Sequence, residues 1–312
     1  MAGAAQRGLD QVQSGVRATA RASRAGAVGE PRLLIAPAWI YYLVFFMVPV
    51  GFMVAYAFAI NDPDRFFVVQ HGLYLDQFER LWDPLFLSIY RDTFVIAALG
   101  TLGCLLIGYP FAYWIAGRSG RRKTLALLLV VVPFWTSLLI RTYAWVILLN
   151  EQGPISQLLQ NVRLISSPLN ILYTPRAVLI GIIYDYLPLM VFPLYVAIER
   201  LDRGLVEASR DLGASRWRTF RQVTLPLTMP GIMTGCLLTF IPMLGEYVVP
   251  QILGGAKSFL IGSLVANQVV TAVDWPFGAA LSVALVVVLL VVIFVYLRVL
   301  GRRAEESLGA AL

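Results

Sequence analysis

One histidine and two cysteines in 312 residues leave almost nothing from which to build a metal centre or a disulfide framework. His71 has no second His or Cys near it in sequence, so surface decoration is its expected role. Cys104 and Cys236 fall inside long apolar stretches, where a thiol behaves as a small hydrophobe. Charge is scarce too: Asp, Glu, Lys and Arg make up 14% of the chain, against roughly 25% in a soluble domain. With 59% hydrophobic residues and a mean hydropathy of +0.74, an ordinary soluble domain is excluded. The strings that carry chemistry are missing as well. There is no Gly-x-x-x-x-Gly-Lys-Ser/Thr phosphate cradle; Gly254-Gly255-Ala256-Lys257-Ser258 has Ala where that motif needs its second Gly. No Gly-x-Ser-x-Gly elbow, His-Glu-x-x-His or Cys pair occurs. The chain is therefore expected to have no catalytic residue, no metal, no cofactor and no ATP site of its own.

What it does have is apolar length. Windows of about 20 apolar residues, enough to cross roughly 30 Å of hydrocarbon, lie at about 33–60, 93–116, 124–149, 177–197, 230–250 and 275–299. The first is too long for a signal-peptide core and lacks a small-residue cleavage site, so it reads as a retained span. The expected fold is all-α, a polytopic membrane protein of six transmembrane helices. Residues 1–32 form a basic, disordered arm, 33–300 the six-span domain and 301–312 a tail. Placing the arm, the 117–123 loop, the 198–229 loop and the tail on one side collects 18 of the 25 Lys and Arg there. By the positive-inside rule both termini and those loops are cytoplasmic. The arm (Arg7, Arg17, Arg21, Arg24) lacks interleaved aromatics, so membrane lipid rather than nucleic acid is its expected partner.

One polar interlude, Glu207 to Pro226, interrupts the hydrophobic pattern. Asp202 is placed to cap a helix over Arg203–Leu212 that Gly213 stops in the left-handed region. Ser215 is placed to cap a second helix toward Val223, which Pro226 closes. Leu205, Ala208 and Leu212 share one helical face, as do Trp217, Phe220 and Val223. The expected shape is two short helices with a bend, their apolar faces free for a partner's cleft.

The spacing Glu207-Ala208-Ser209, Gly213, Val223, Leu225-Pro226 resembles the EAA loop of bacterial ABC importer permeases, with Ser for the second Ala and Val for Ile. Pro133 to Trp145, Tyr186-Leu187-Pro188, Pro193-Leu194-Tyr195, Leu244 to Pro250, Leu253-Gly254-Gly255 and Asp274-Trp275-Pro276 resemble the spermidine/putrescine-type branch. The resemblance covers about residues 33–300. It implies a MetI-like importer permease fold in the inner (plasma) membrane of a bacterium. It further implies four kinds of partner: a second homologous permease, two copies of an ABC ATPase, an external solute-binding protein and lipid. Glu207, Ala208, Ser209, Leu212, Gly213, Ala214, Trp217, Phe220 and Pro226 become the expected ATPase-coupling residues. The expected function is half of a translocation pathway for a polyamine or related amine-bearing solute. A secondary transporter or a channel subunit without an ATPase is the alternative, although neither needs an ATPase-docking loop.

A charge at mid-bilayer costs about 2.5–3.5 kcal/mol on insertion scales, so Arg141, Asp185 and Glu246 each require an explanation. Carboxylates beside aromatic faces suit organic ammonium groups. Asp185, Glu246, Tyr184, Tyr186, Tyr247 and Trp145 are accordingly the expected substrate-pathway residues. For Asp185 an internal ion pair with Arg141 competes equally. Pro250 and Gly254-Gly255 suggest a broken helix after Glu246, lining a cavity. Gly231 and Gly235, like Gly278 and Ser282, have the spacing of contact faces, with the partner permease as an expected neighbour. The 61–92 and 150–176 regions, the latter with a short helix near Ile155–Val162, are expected outside as a docking surface. The first of them holds six acids (Asp62, Asp64, Asp76, Glu79, Asp83, Asp92) against three Arg, a surplus suited to guiding a cationic solute, though keeping positive charge inside explains it equally well.

Overall fold

Long apolar runs must satisfy their own backbone polar groups in a bilayer, and the helix is the form that does so within one segment. The computed structural model describes residues 31–62, 69–70, 72–255 and 259–309; the side chains of 31–36 and 299–309 are not described. Most of the basic arm, Asp64, His71 and Lys257-Ser258 lie outside the described residues. The chain divides at Val54 into two units. The helix α1, with its apolar part at Pro37–Ala57, runs across that division and widens to a π turn at Leu43–Met47. Within the second unit a two-residue antiparallel pair, β1 (Ile60–Asn61) and β2 (Val69–Gln70), is a small exception to the all-α expectation. Then follow α2 (Asp76–Arg80), α3 (Pro84–Ala116), α4 (Gly120–Val131), α5 (Leu138–Leu149), α6 (Pro154–Asn161) and α7 (Pro175–Glu199). The second half holds α8 (Arg203–Asp211), α9 (Arg216–Thr219), α10 (Leu225–Leu244), α11 (Val248–Leu253), α12 (Ile261–Ala266) and α13 (Trp275–Gly309).

Among the described residues five helices are long and apolar enough to cross a membrane, and a sixth span results if a bent pair counts as one. That pair covers the span expected at 124–149 and bends it. The segments Gly120–Trp135 and Leu138–Asn161 meet at 96°. Pro133 supplies no N–H, a 3-10 turn takes Val132–Trp135, and Thr136 is extended at the corner. One correction concerns α3, which starts at Pro84 rather than near 93, with Asp83 Oδ1 accepting from Leu85 N at 2.9 Å. Its cap and the N-terminal Pro outweigh the charges Arg91 and Asp92 that made the segment read as loop.

The core is the contact of α3, α7 and α10, filled by Cys104, Ile182, Met190, Leu194, Met243 and Leu244, all essentially buried. Small residues set the spacing. A Cβ at Gly231 would strike Ala197 Cβ and come 2.8 Å from Pro193 O, and one at Gly235 would come 2.7 Å from Met190 Sδ. The Gly-x-x-x-Gly face is therefore used within this chain, against α7, rather than by a partner; Gly278 likewise meets Val269.

At the end of the molecule carrying β1, α2 and α12, Asp274 gathers its neighbours. Its carboxylate accepts from Asn61 Nδ2 (3.0 Å), Arg80 Nη1 (2.9 Å) and Phe277 N (3.3 Å), while the Arg80 guanidinium lies 3.9 Å over the Phe277 ring. Residues distant in sequence are thereby fastened to the start of α13.

Candidate functional site

The polar interlude folds as its residues dictate. Asp202 Oδ1 accepts from Gly204 N at 2.8 Å and opens α8; Ser215 Oγ accepts from Arg218 N at 3.3 Å and opens α9. Gly213 has φ +85°, its N–H bonds Arg210 O at 2.8 Å, and Ala214 N bonds Ser209 O at 3.1 Å. Those two bonds make a Schellman ending, which needs the left-handed residue that glycine provides without strain.

Ser209 Oγ and Thr219 Oγ1, 3.2 Å apart, pin the two short helices together. Arg203 donates to Ala116 O at 3.3 Å, fixing the loop to the end of α3. Phe220 turns inward, edge-on to Tyr109 at 5.7 Å, and Trp217 stacks on Phe220 at 5.5 Å. Glu207, Ala208 and Pro226 are exposed, Ser209 and Ala214 half-buried. Leu212 is 89% exposed and Trp217 70% exposed. Leu212 and Trp217 are thus large apolar side chains standing exposed on the bent pair of helices.

Pro226 does not close α9. The helix widens into a π turn at Phe220–Thr224 and continues into α10, so one rod runs from Arg216 to Leu244. The carbonyl a proline ring strikes belongs to the residue four back, here Gln222, and the wider turn moves it aside. The loop is thus joined mechanically to a membrane span, a linkage the proline concealed at the level of sequence.

Arg141, Asp185 and Glu246 fall into two groups. Arg141 Nη1 of α5 lies 3.1 Å from Asp185 Oδ1 of α7, with their side chains 13% and 5% exposed. The pair is in charge contact but not aligned as a hydrogen bond: both Asp185 oxygens and Arg141 Nε and Nη1 lack hydrogen-bond partners among the described residues. Beside it Trp145 and Tyr184 meet edge to face at 5.5 Å. In the second group Tyr186 donates to Glu246 Oε2 at 2.6 Å, and Glu246 Oε1 accepts from Val248 N (2.9 Å) and Val249 N (3.3 Å). Glu246 is therefore a helix cap for α11 tied to α7. The rod of α10 ends at Leu244 and the chain turns through Gly245 to Tyr247, so the break comes earlier than the one expected at Pro250, which lies inside α11; Tyr247 is 48% exposed.

Sequence reasoning passed over α12 and its π-turn extension to Thr271, an apolar segment too short for a span. It also missed the Asp274 junction, for which the Asp followed by Trp275-Pro276 was the available helix-start signal.

The profile of the family described as binding-protein-dependent transport system inner membrane component matches residues 108–305, well over half of the chain. The chain is similar to the spermidine/putrescine transport system permease protein PotB of Escherichia coli, 42% identical over 83% of this chain and 93% of that one. Its counterpart from Haemophilus influenzae is 38% identical over 88% and 96%. Among solved structures, a chain of a bacterial ABC transporter involved in import of the acidic polysaccharide alginate superimposes with a TM-score of 0.67, over 92% of this chain and 99% of that one. At 18% identity that likeness speaks to the fold. The chain belongs to the family of binding-protein-dependent transport system inner membrane components.

Proposed function

We propose that this protein forms half of the translocation pathway of an ATP-driven importer for a polyamine or a related amine-bearing solute. The observation that carries the coupling part is the capped, bent α8–α9 pair, which presents Leu212 and Trp217 and runs without interruption into α10. In this reading two copies of an ABC ATPase receive Glu207, Ala208, Ser209, Leu212, Gly213, Ala214, Trp217, Phe220 and Pro226. A movement of their clefts is passed along the Arg216–Leu244 rod to the pathway. A second homologous permease completes the pore, and an external solute-binding protein delivers the substrate to the end carrying α2, α6 and α12. Both termini and the α8–α9 loop are cytoplasmic, in keeping with the clustering of Lys and Arg.

The solute class is supported by the names of the relatives, which are 38–42% identical over most of the chain. On the pathway side, the pairing of Asp185 with Arg141 and the capping by Glu246 favour structural roles for those carboxylates, and leave the aromatic face at Tyr247 toward the solute. Reconstitution of the chain with its partner permease, ATPase and binding protein in proteoliposomes tests the whole reading. ATP-dependent accumulation of putrescine or spermidine, stimulated by the loaded binding protein, is the expected result. Solute flux that persists without the ATPase would favour a channel or secondary transporter instead.

A further inference from the structure

Between α11 and α12 lies a cavity of about 360 Å³ lined by Tyr247, Gln251, Phe259, Ser263, Asn267 and Thr271, among others. Its walls are fixed from behind. Glu246 caps α11 and is held by Tyr186 of α7; Ser263 Oγ accepts from Leu260 N at 2.9 Å, and Thr93 Oγ1 of α3 accepts from Ile261 N at 3.0 Å. Gly262 lets the two walls meet, since a Cβ there would come 2.5 Å from Gly245 O and 2.7 Å from Glu246 O. The backbone around the cavity is thus anchored to two membrane helices.

The side chains facing it contrast with that. The Tyr247 hydroxyl, the carboxamides of Gln251 and Asn267 and the Thr271 hydroxyl make no hydrogen bond within the protein among the described residues. Tyr247 and Phe259 remain 48% and 41% exposed. Among the described residues no Lys, Arg, Asp or Glu lines the cavity. Two ring faces with several unused oxygen acceptors make a chemistry that receives an ammonium group, by cation–π contact and N–H donation to carbonyl oxygens.

We propose that this cavity is a subsite for the primary ammonium group of an alkylamine, at the mouth of the pathway, with Glu246 as the positioning residue that sets α11. The proposal rests on the function proposed above for the choice of an amine over a neutral polyol. Glu246 then acts without touching the solute, by holding Tyr247 and Gln251 at one angle.

The test uses the full complex with its ATPase and binding protein, putrescine as probe and 1,4-butanediol as its uncharged isostere. A Cys placed by Ala266→Cys, in a chain carrying Cys104→Ala and Cys236→Ala, reports on the cavity through its rate of maleimide labelling. Saturating putrescine should slow labelling at least fivefold and butanediol should not. In uptake, Tyr247→Leu and Phe259→Leu should each raise the half-saturating putrescine concentration about five- to tenfold at unchanged assembly, while Tyr247→Phe and Phe259→Tyr stay near wild type. Wild-type uptake of putrescine with neither protection nor a shift in the leucine variants overturns the subsite and leaves the function standing. A wild type that imports neither putrescine nor spermidine overturns the function, and protection by putrescine then decides the subsite by itself. Equal protection by butanediol overturns the ammonium assignment.

Discussion

Arg141 and Asp185 approach to 3.1 Å across α5 and α7, both nearly buried, at the point where the third span has just turned through its bend. The pair joins the second limb of a broken span to the core helix α7, so its charges stabilise a junction that apolar packing alone would leave free to slide.

Asp185→Asn should strand a buried cation and lower the yield and thermal stability of the assembled complex, by about 3–5 kcal/mol for a broken buried pair. Arg141→Gln should do the same, and the double variant should recover most of the loss. Size-exclusion yield and melting temperature of the three variants, set against uptake, read this out. Normal assembly with slowed uptake in Asp185→Asn would assign Asp185 to the pathway instead.

Gly213→Asp should leave insertion intact and abolish binding-protein-stimulated ATP hydrolysis, because it places a side chain and a charge at a φ of +85° beside the exposed Leu212. Gly213→Asn, which tolerates the left-handed region, should retain a substantial part of the coupling. Hydrolysis at the wild-type rate in Gly213→Asp with the ATPase bound would remove the coupling role of the loop.

Trp217→Ala should weaken ATPase co-purification roughly tenfold or more, as loss of an exposed aromatic anchor does in other interfaces. Phe220→Ala should act differently, loosening the loop from Tyr109 and lowering stability before docking. A pull-down titration and a thermal scan on the same two variants separate these effects.

Single Cys probes at Asp76 and Leu158 should label from outside intact cells, and probes at Ser119 and Arg218 only after permeabilisation. Leu158 is chosen on α6 because it is exposed, whereas Ser156 is buried with its hydroxyl accepting from Leu169 N. External labelling of Arg218 would reverse the orientation.

Gly235→Val should destabilise the chain by about 1–3 kcal/mol, since the new side chain meets Met190 Sδ and backbone of α7 in a contact with no slack. Detergent melting temperature is the readout, and an unchanged value would relocate the glycine face to the partner permease.

The sequence by itself determined what depends on near neighbours and on composition. Apolar length required membrane helices, and Asp202, Gly213 and Ser215 specified a bent helical pair because caps and left-handed stops are bonds between residues two to five apart. Gly254 marked the end of α11 for the same reason, whereas Pro250 lies inside that helix and the break falls before it, at Gly245. The tertiary structure alone decided which face of each span meets which. A helix such as α7 is apolar all round, so its periodicity does not say whether Asp185 turns to Arg141 or to the solute, or that Gly231 and Gly235 close on α7 rather than on another subunit. Nor does it announce that Glu246 is bonded by the Tyr186 hydroxyl and two amides of α11. In lipid the hydrophobic effect no longer sorts inside from outside, and only the steric fit of one helix on another and the pairing of scarce polar groups make that choice.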